Sequence, residues 1–282
     1  RPAMPDLRQR VSPAARKRAA ELDVDVSRIA GTGPKGAVTL EDIEQAAVAA
    51  KPAPKDRGLE MRKAIGAAMA RSKREIPHYY LATEVPLASA TTWLAARNEG
   101  RSITRRVLMA VPMLKAVALA LKKYPELNGF FQDGAFVPGA GVHLGVAISL
   151  RQGGLIAPAI RDVDAMPLDD LMHALTDLVA RARALTLRSS EMSDATITVT
   201  NLGDQGVEVV HGVIYPPQVA LVGFGRATER PRVEDGRVIA APVVTLTLAA
   251  DHRASDGHRG ALFLAEVARL LQTPELLDAA GH

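Results

Sequence analysis

The stretch "DHRASDG", residues 251–257, stands where an apolar, β-branched run, "PVVTLTLAA", gives way to the helical pattern "GHRGALFLAEVARLLQTPELL". A strand that reads as buried ends in Asp251, His252, Arg253 and Asp256, and the gathered charge needs a reason. Two readings are open on the residues alone. In the first, Ser255 or Asp256 caps the final helix by accepting from free N–H groups, and His252 is a satisfied histidine at a strand end. In the second, His252 is a general base, since an imidazole with an ordinary pKa near 6.5 takes a proton from a thiol or hydroxyl at neutral pH. H-x-x-x-D alone is weak evidence for a metal site, and none is expected.

Composition narrows the second reading. The 282 residues are 48% hydrophobic and 23% charged, ordinary for one or two globular domains. There is no cysteine, which excludes disulfides, thiolate metal ligands and a cysteine nucleophile. A histidine-driven transfer must then take its nucleophile from the substrate, a thiol or alcohol attacking an activated acyl group. The oxyanion that develops needs a donor, and "TVTNLG" (198–203) offers hydroxyls where a strand must turn. The net charge of +4 comes with scattered acids and only 4% aromatics, so no nucleic-acid stripe is expected. A basic surface for acidic partners or phosphates fits equally well. No apolar run approaches the roughly 20 residues that cross a bilayer. "RPAMPDLRQR" lacks the apolar segment of a secretory signal, and a chain beginning at Arg1 reads as a processed or truncated piece.

Residues 8–47 read as a unit of their own. "SPAARKRAAEL" has Ser12 as N-cap, Pro13 in the first turn and Ala15, Ala19 and Leu22 at helical spacing. A second helix is announced by Thr39 and Asp42 in the manner of a capping box. Between them "GTGPKG" resembles a phosphate loop, but it lacks the preceding strand and the full spacing. The simpler reading is a tight crossing between helices, with Lys35 exposed. Residues 48–57, "VAAKPAPKDR", form a semi-rigid linker, and a larger domain runs over 58–282. There "MRKAIGAAMARSKREI", "RRVLMAVPMLKAVALALKKYP", "LDDLMHALTDLVARARAL" and residues 257–272 predict helices. "YYLATEVPL", "GVHLGVAISL", "GLIAPAI", "ATITVTNLG", "QVALVGFG" and "PVVTLTLAA" predict strands. Without strict βαβ alternation, the fold class is α/β with a mixed sheet and helices packed on it.

"DHRASDG" resembles the D-H-R-x-x-D-G signature of the dihydrolipoamide acyltransferases, core components of 2-oxo acid dehydrogenase complexes. "MRKAIGAAMARSKREIPHYYLATEV", "YPELN", "LIAPAIRDVD", "TITVTNLG" and "PPQVALVGFG" are similar to the catalytic domain of that family, in the same order. Residues 8–47 are similar to its peripheral subunit-binding domain. The resemblance implies a small two-helix binding domain followed by a chloramphenicol-acetyltransferase-like catalytic domain. It also implies a homotrimer with active sites between subunits. His252 would deprotonate the thiol of coenzyme A, the cosubstrate, or of dihydrolipoamide. Asp256 would help hold the site, and Thr200, from another chain, would donate to the oxyanion.

Arg16, with Lys17, Arg18 and Lys35, would grip the dihydrolipoamide dehydrogenase or the decarboxylase component. Ala20 and Ala37 stand where further basic residues are often found. Nothing resembles the Asp-Lys-Ala hairpin of a lipoyl domain, so the lipoyl group is expected on a domain outside this chain. Cages of eight or twenty trimers form partly through an apolar C-terminal end, where this chain has the more polar "TPELLDAAGH". "IPHYYLATEV" is closer to the acetyl-transferring members. A non-catalytic scaffold of the same complexes is the alternative, although such relatives lose the histidine kept here. The setting implied is the bacterial cytoplasm, or the mitochondrial matrix in a eukaryote, and no membrane.

Overall fold

Ser12 and Pro13 open the first helix, α1 (Pro13–Leu22), as their residue types predict. The Ser12 hydroxyl accepts from the Ala15 amide at 3.1 Å, and Pro13 stands where no amide donor is needed. The computed structural model describes residues 10–50, 57–150 and 153–278. They fall into two units, Arg1–Glu60 and Met61–His282.

In the smaller unit, α2 (Leu40–Ala50) starts at the expected capping box. The Thr39 amide donates to Asp42 at 2.8 Å, and the Asp42 amide donates to Thr39 at 3.3 Å. The Asp42 carboxylate also takes the Thr32 amide (2.9 Å) and hydroxyl (2.7 Å), which ties the glycine loop to the helix. These donors, the Thr39 amide first, hold the Asp42 carboxyl well below its usual range. A Cβ on Gly31 or Gly33 would fall 2.4 or 2.7 Å from the Ala37 backbone, so the crossing needs glycine at both. Ala15, Ala19, Val38 and Ile43 form the buried core. Helix α2 runs to Ala50 and α3 (Arg57–Glu75) begins at Arg57. The flanks of the linker expected over 48–57 are therefore helical, and its middle lies outside the described residues.

The larger unit continues with β1 (His78–Pro86), α4 (Ala88–Asn98) and α5 (Ala110–Lys123). Six short strands follow: β2 (Gly129–Gln132), β3 (Ala135–Pro138), β4 (Leu144–Val146), β5 (Ile148–Ser149), β6 (Leu155–Ile156) and β7 (Ala159–Ile160). Then come α6 (Leu168–Ala184), α7 (Ser189–Ser193), β8 (Ile197–Asn201) and β9 (Ala220–Phe224). The unit closes with β10 (Thr228–Glu234), β11 (Arg237–Asp251) and α8 (Gly257–Gln272).

Seven strands make one mixed sheet in the order β1-β11-β9-β8-β4-β7, with β10 also paired to β11. Strand β8 runs parallel to β4 and β9, while β11 runs antiparallel to β1, β9 and β10. The two-residue period of the strands sorts the faces. Ile197, Val199, Ala220, Val222, Phe224, Leu246, Leu248 and Ala250 join one core with the apolar sides of α5, α6 and α8. The opposite face carries Thr196, Thr198, Thr200, Thr245, Thr247 and Asp251, all buried. Part of it is covered by the segment before β9, where Val210 O accepts from Thr247 at 2.6 Å. On the first face Lys115 of α5, 2% exposed, donates to the carbonyls of Val163 (3.1 Å), Asp164 (2.7 Å) and Met166 (2.7 Å). It pins the turn that leads into α6.

The structure departs from the sequence expectation in several places, the unexpected β2, β3 and α7 among them. The helix expected over 105–125 begins at Ala110, which leaves Pro112 in the first turn, where an amide hydrogen is not needed. "GVHLGVAISL" and "GLIAPAI" are not two long strands but the four short strands β4 to β7. Their glycines and Pro158 interrupt the runs. Helix α4 went unpredicted because "ASATTWLAARN" has no capping residue and few large apolar side chains. So did β10, whose "TERPRVE" holds Pro231; it pairs only with β11, so proline is tolerated there. No helix among the described residues is long and apolar enough to cross a membrane.

Candidate active site

Strand β11 delivers Asp251 to one end of the sheet, and the chain leaves through a short turn into α8. Asp251 is fully buried, and Arg253 neutralises it. The Arg253 guanidinium donates to the carboxylate through Nε at 2.9 Å and Nη2 at 2.7 Å, and the Arg253 amide adds a third bond at 2.9 Å. The same guanidinium lies 4.0 Å from the centre of the Phe131 ring. Asp256 is the N-cap of α8, accepting from the Arg259 amide at 2.9 Å. That bond first, then the His258 amide and the nearby imidazoles of His258 and His252, hold its carboxyl below the usual range. Three of the four charged side chains are thus structural.

His252 is left over. It is exposed, its amide donates to the Pro77 oxygen at 3.0 Å, and its ring meets the Tyr79 ring edge-on at 5.2 Å. Neither ring nitrogen is hydrogen-bonded among the described residues. His78 nearby is the opposite case. Its Nδ1 is 2.9 Å from the Ile76 oxygen, and its Nε2 accepts from the Ile214 amide at 3.2 Å. Burial pushes its pKa down, and with both ring nitrogens engaged it is a structural histidine.

Thr200 stands near the end of β8 and is buried, with no hydrogen bond from its hydroxyl among the described residues. It does not meet His252. Thr200 is level with Gly223 of β9, whereas Asp251 is tied to Val219, four positions back along the same strand. Strands β8 and β11 flank β9 on opposite sides. Standard spacings then put Asp251, the neighbour of His252, and Thr200 about 13 Å apart along the strands and about 10 Å across them. Within one chain His252 and Thr200 lie at opposite ends of the sheet.

Tyr79 and its bond to Ser255 were not foreseen. The Tyr79 hydroxyl is 2.8 Å from Ser255 Oγ, and the pairing depends on the β1–β11 register, which no linear pattern specifies. On the smaller unit Arg16 and Lys17 are exposed on α1, and Lys35 is exposed at a left-handed residue (φ 58°). Arg18 is engaged within the unit, with Glu21 at 2.9 Å and Glu44 at 3.5 Å.

Residues 56–278 match the model of the 2-oxoacid dehydrogenases acyltransferase catalytic domain, and residues 10–44 match that of the E3-binding domain. The dihydrolipoyllysine-residue acetyltransferase component of the pyruvate dehydrogenase complex of Staphylococcus aureus is 33% identical, over 95% of this chain and 70% of its own length. A probable dihydrolipoamide acetyltransferase from Listeria monocytogenes has a similar solved structure, with a TM-score of 0.72 and 27% identity over 80% of this chain and 96% of its own. A dihydrolipoamide acetyltransferase from Azotobacter vinelandii superposes with a TM-score of 0.73 and 26% identity, over 80% of this chain and 93% of its own. Its structure was determined to define the role of one serine, one histidine and one asparagine in the catalytic mechanism. The chain described here belongs to the 2-oxo acid dehydrogenase acyltransferase family.

Proposed function

We propose that the chain transfers an acyl group, acetyl first among candidates, between dihydrolipoamide and coenzyme A, with His252 as the base. One observation carries this reading. Every charged neighbour of His252 is engaged in holding the turn or the helix, and the imidazole alone faces outward with both nitrogens open. A spacing supports it. In the Azotobacter vinelandii enzyme the asparagine lies four positions after the histidine and the serine fifty-two before it; Asp256 and Thr200 stand at those distances from His252.

His252 takes the proton of one thiol, and the thiolate sulfur attacks the carbonyl carbon of the other partner's thioester. The carbonyl electrons move onto oxygen, and the Thr200 hydroxyl donates to that oxyanion. When the tetrahedral intermediate collapses, the second sulfur leaves and takes the proton back from the imidazolium. The Asp256 carboxylate, fixed as the cap of α8, holds the end of the turn that carries the imidazole. Since His252 and Thr200 lie at opposite ends of one sheet, each site takes them from two copies, as a homotrimer supplies. Bacterial relatives support a cytoplasmic setting, which the lack of cysteine permits.

The test is acetyl transfer from acetyl-coenzyme A to dihydrolipoamide. His252→Ala is expected to lower kcat by about 10²–10⁴ while gel filtration shows the same oligomer. A variant that keeps more than about a tenth of the rate would overturn the assignment of His252 as the base.

The smaller unit is proposed to dock dihydrolipoamide dehydrogenase or the decarboxylase component through the exposed Arg16, Lys17 and Lys35, which suit an acidic surface. Arg18, held by Glu21 and Glu44, contributes chiefly to the unit itself. Arg16→Ala is expected to weaken binding to one of these enzymes by about 2–5 kcal/mol in calorimetric titration, with acyl transfer untouched. Unchanged affinity for both would move the docking surface elsewhere.

A further inference from the structure

His252 sits on an exposed turn, where an imidazole with free rotamers would spend much of its time out of line with a thiol. Its backbone is fixed by Pro77, and the one aromatic ring it meets among the described residues is that of Tyr79. Tyr79 is unusually well placed for that contact. The β1–β11 register sets it opposite Ala250, one residue from the end of β11. Its ring lies 5.2 Å from the imidazole at 66°. Its hydroxyl is tethered at 2.8 Å to Ser255, three residues beyond His252 in the same turn. A Cβ on Gly260, in the first turn of α8, would come within 2.9 Å of both the ring and the hydroxyl, so the helix closes directly over Tyr79. One side chain therefore touches the strand end, the turn and the helix that follows it.

We propose that Tyr79 is a positioning residue for His252: its ring is a fixed wall that limits the imidazole, and the bond to Ser255 sets the height of the turn against that wall. This rests on the reading of His252 as the base. The competing account is that Tyr79 only packs α8 against β1, in which case its loss would change stability and leave the chemistry alone.

The experiment is a double-mutant cycle on acetyl transfer, with thermal melting of each variant. Tyr79→Leu is expected to lower kcat about tenfold or more, with KM for both substrates within about twofold, because the missing contact concerns the base and not binding. Tyr79→Phe and Ser255→Ala each remove the same hydrogen bond. Each should lower kcat about threefold, and together they should do no worse than either alone. In a His252→Ala background, Tyr79→Leu should cost nothing further, since there is no imidazole left to hold. Wild-type kcat in Tyr79→Leu, or an equal further loss in the His252→Ala background, overturns the proposal. If Tyr79→Leu does not fold, the Phe and Ala variants, which keep the ring and the turn, decide the question by the same non-additivity. Full activity of His252→Ala would instead overturn the assignment of the base, and is read separately.

Discussion

Thr196, just before β8, and Thr198 and Thr200 within it lie on one face, and their hydroxyls are not equivalent. Thr196 donates to Asn128 at 2.5 Å, and Thr198 donates to Gln218 at 2.7 Å, whose amide in turn donates to the Ala195 oxygen at 3.1 Å. Thr200, buried like them, has no such partner among the described residues. Thr200→Val, which keeps the shape and loses the donor, is therefore expected to lower kcat at least tenfold, a modest share of the roughly 10²–10³ lost in well-measured oxyanion holes. Thr200→Ser should keep most of the rate. Thr198→Val should keep it too, but it strands the buried Gln218 oxygen and should cost about 1–3 kcal/mol in urea unfolding. Equal, small rate losses at the two positions would remove Thr200 from the mechanism. Alternation in "TITVT" predicted the strand and its buried face. It could not separate the threonines, because their partners lie 68 and 20 residues away in the chain.

Helix α8 was the most legible element. Its start at Gly257, its cap at Asp256 and its end at Gln272 follow from a capping type and a regular apolar stripe. The capping and catalytic readings of "DHRASDG" turn out to be compatible, since Asp256 caps while His252 remains open. What the stripe could not show is the polar side of α8. There Glu266 accepts from Arg269 at 2.8 Å and from Lys123 of α5 at 2.6 Å. Arg269 first, then Lys123, pull the Glu266 carboxyl down to about 2, against a burial that opposes them. A carboxyl depressed in the folded state lends stability that is complete above its unfolded pKa and is lost as pH falls toward the folded one. Glu266→Gln should thus be less stable than wild type at pH 7. The gap should close between pH 4.5, the ordinary glutamate value, and about 2. Urea midpoints measured at pH 7 and near the lower limit test this; a gap of the same size at both would mean that the pairs with Arg269 and Lys123 do not matter.

On the scale of the whole molecule, the strands β1, β8, β9 and β11 were legible but their order was not. The sequence shows "TVTNLG" and "TLTLAADH" as strands. That β9 lies between them, so that His252 and Thr200 emerge from opposite ends, is a fact of topology. It makes a strong prediction about assembly. His252→Ala and Thr200→Val chains should each be impaired alone, yet in the proposed homotrimer coexpressed chains would share sites. In such a ring of three heterologous interfaces, one interface of each mixed trimer pairs an intact histidine with an intact threonine, which gives each mixed trimer about a third, and an equal random mixture about a quarter, of wild-type activity. A mixture no more active than its components would place both residues in separate sites.

Lys115, sealed under α5 against three carbonyls, has one more consequence in such a protein. A thioester is a reagent for free amines as well as for thiols. In the native fold the Lys115 ammonium is out of its reach. In a chain that opens, the same amine is exposed to it, and an acylated Lys115 has lost its charge and gained bulk that the turn at 163–166 has no room for. Acetylation of Lys115 in an opened chain would therefore hinder its return to the native fold; mass spectrometry and recovered activity after unfolding with and without acetyl-coenzyme A would show whether it does.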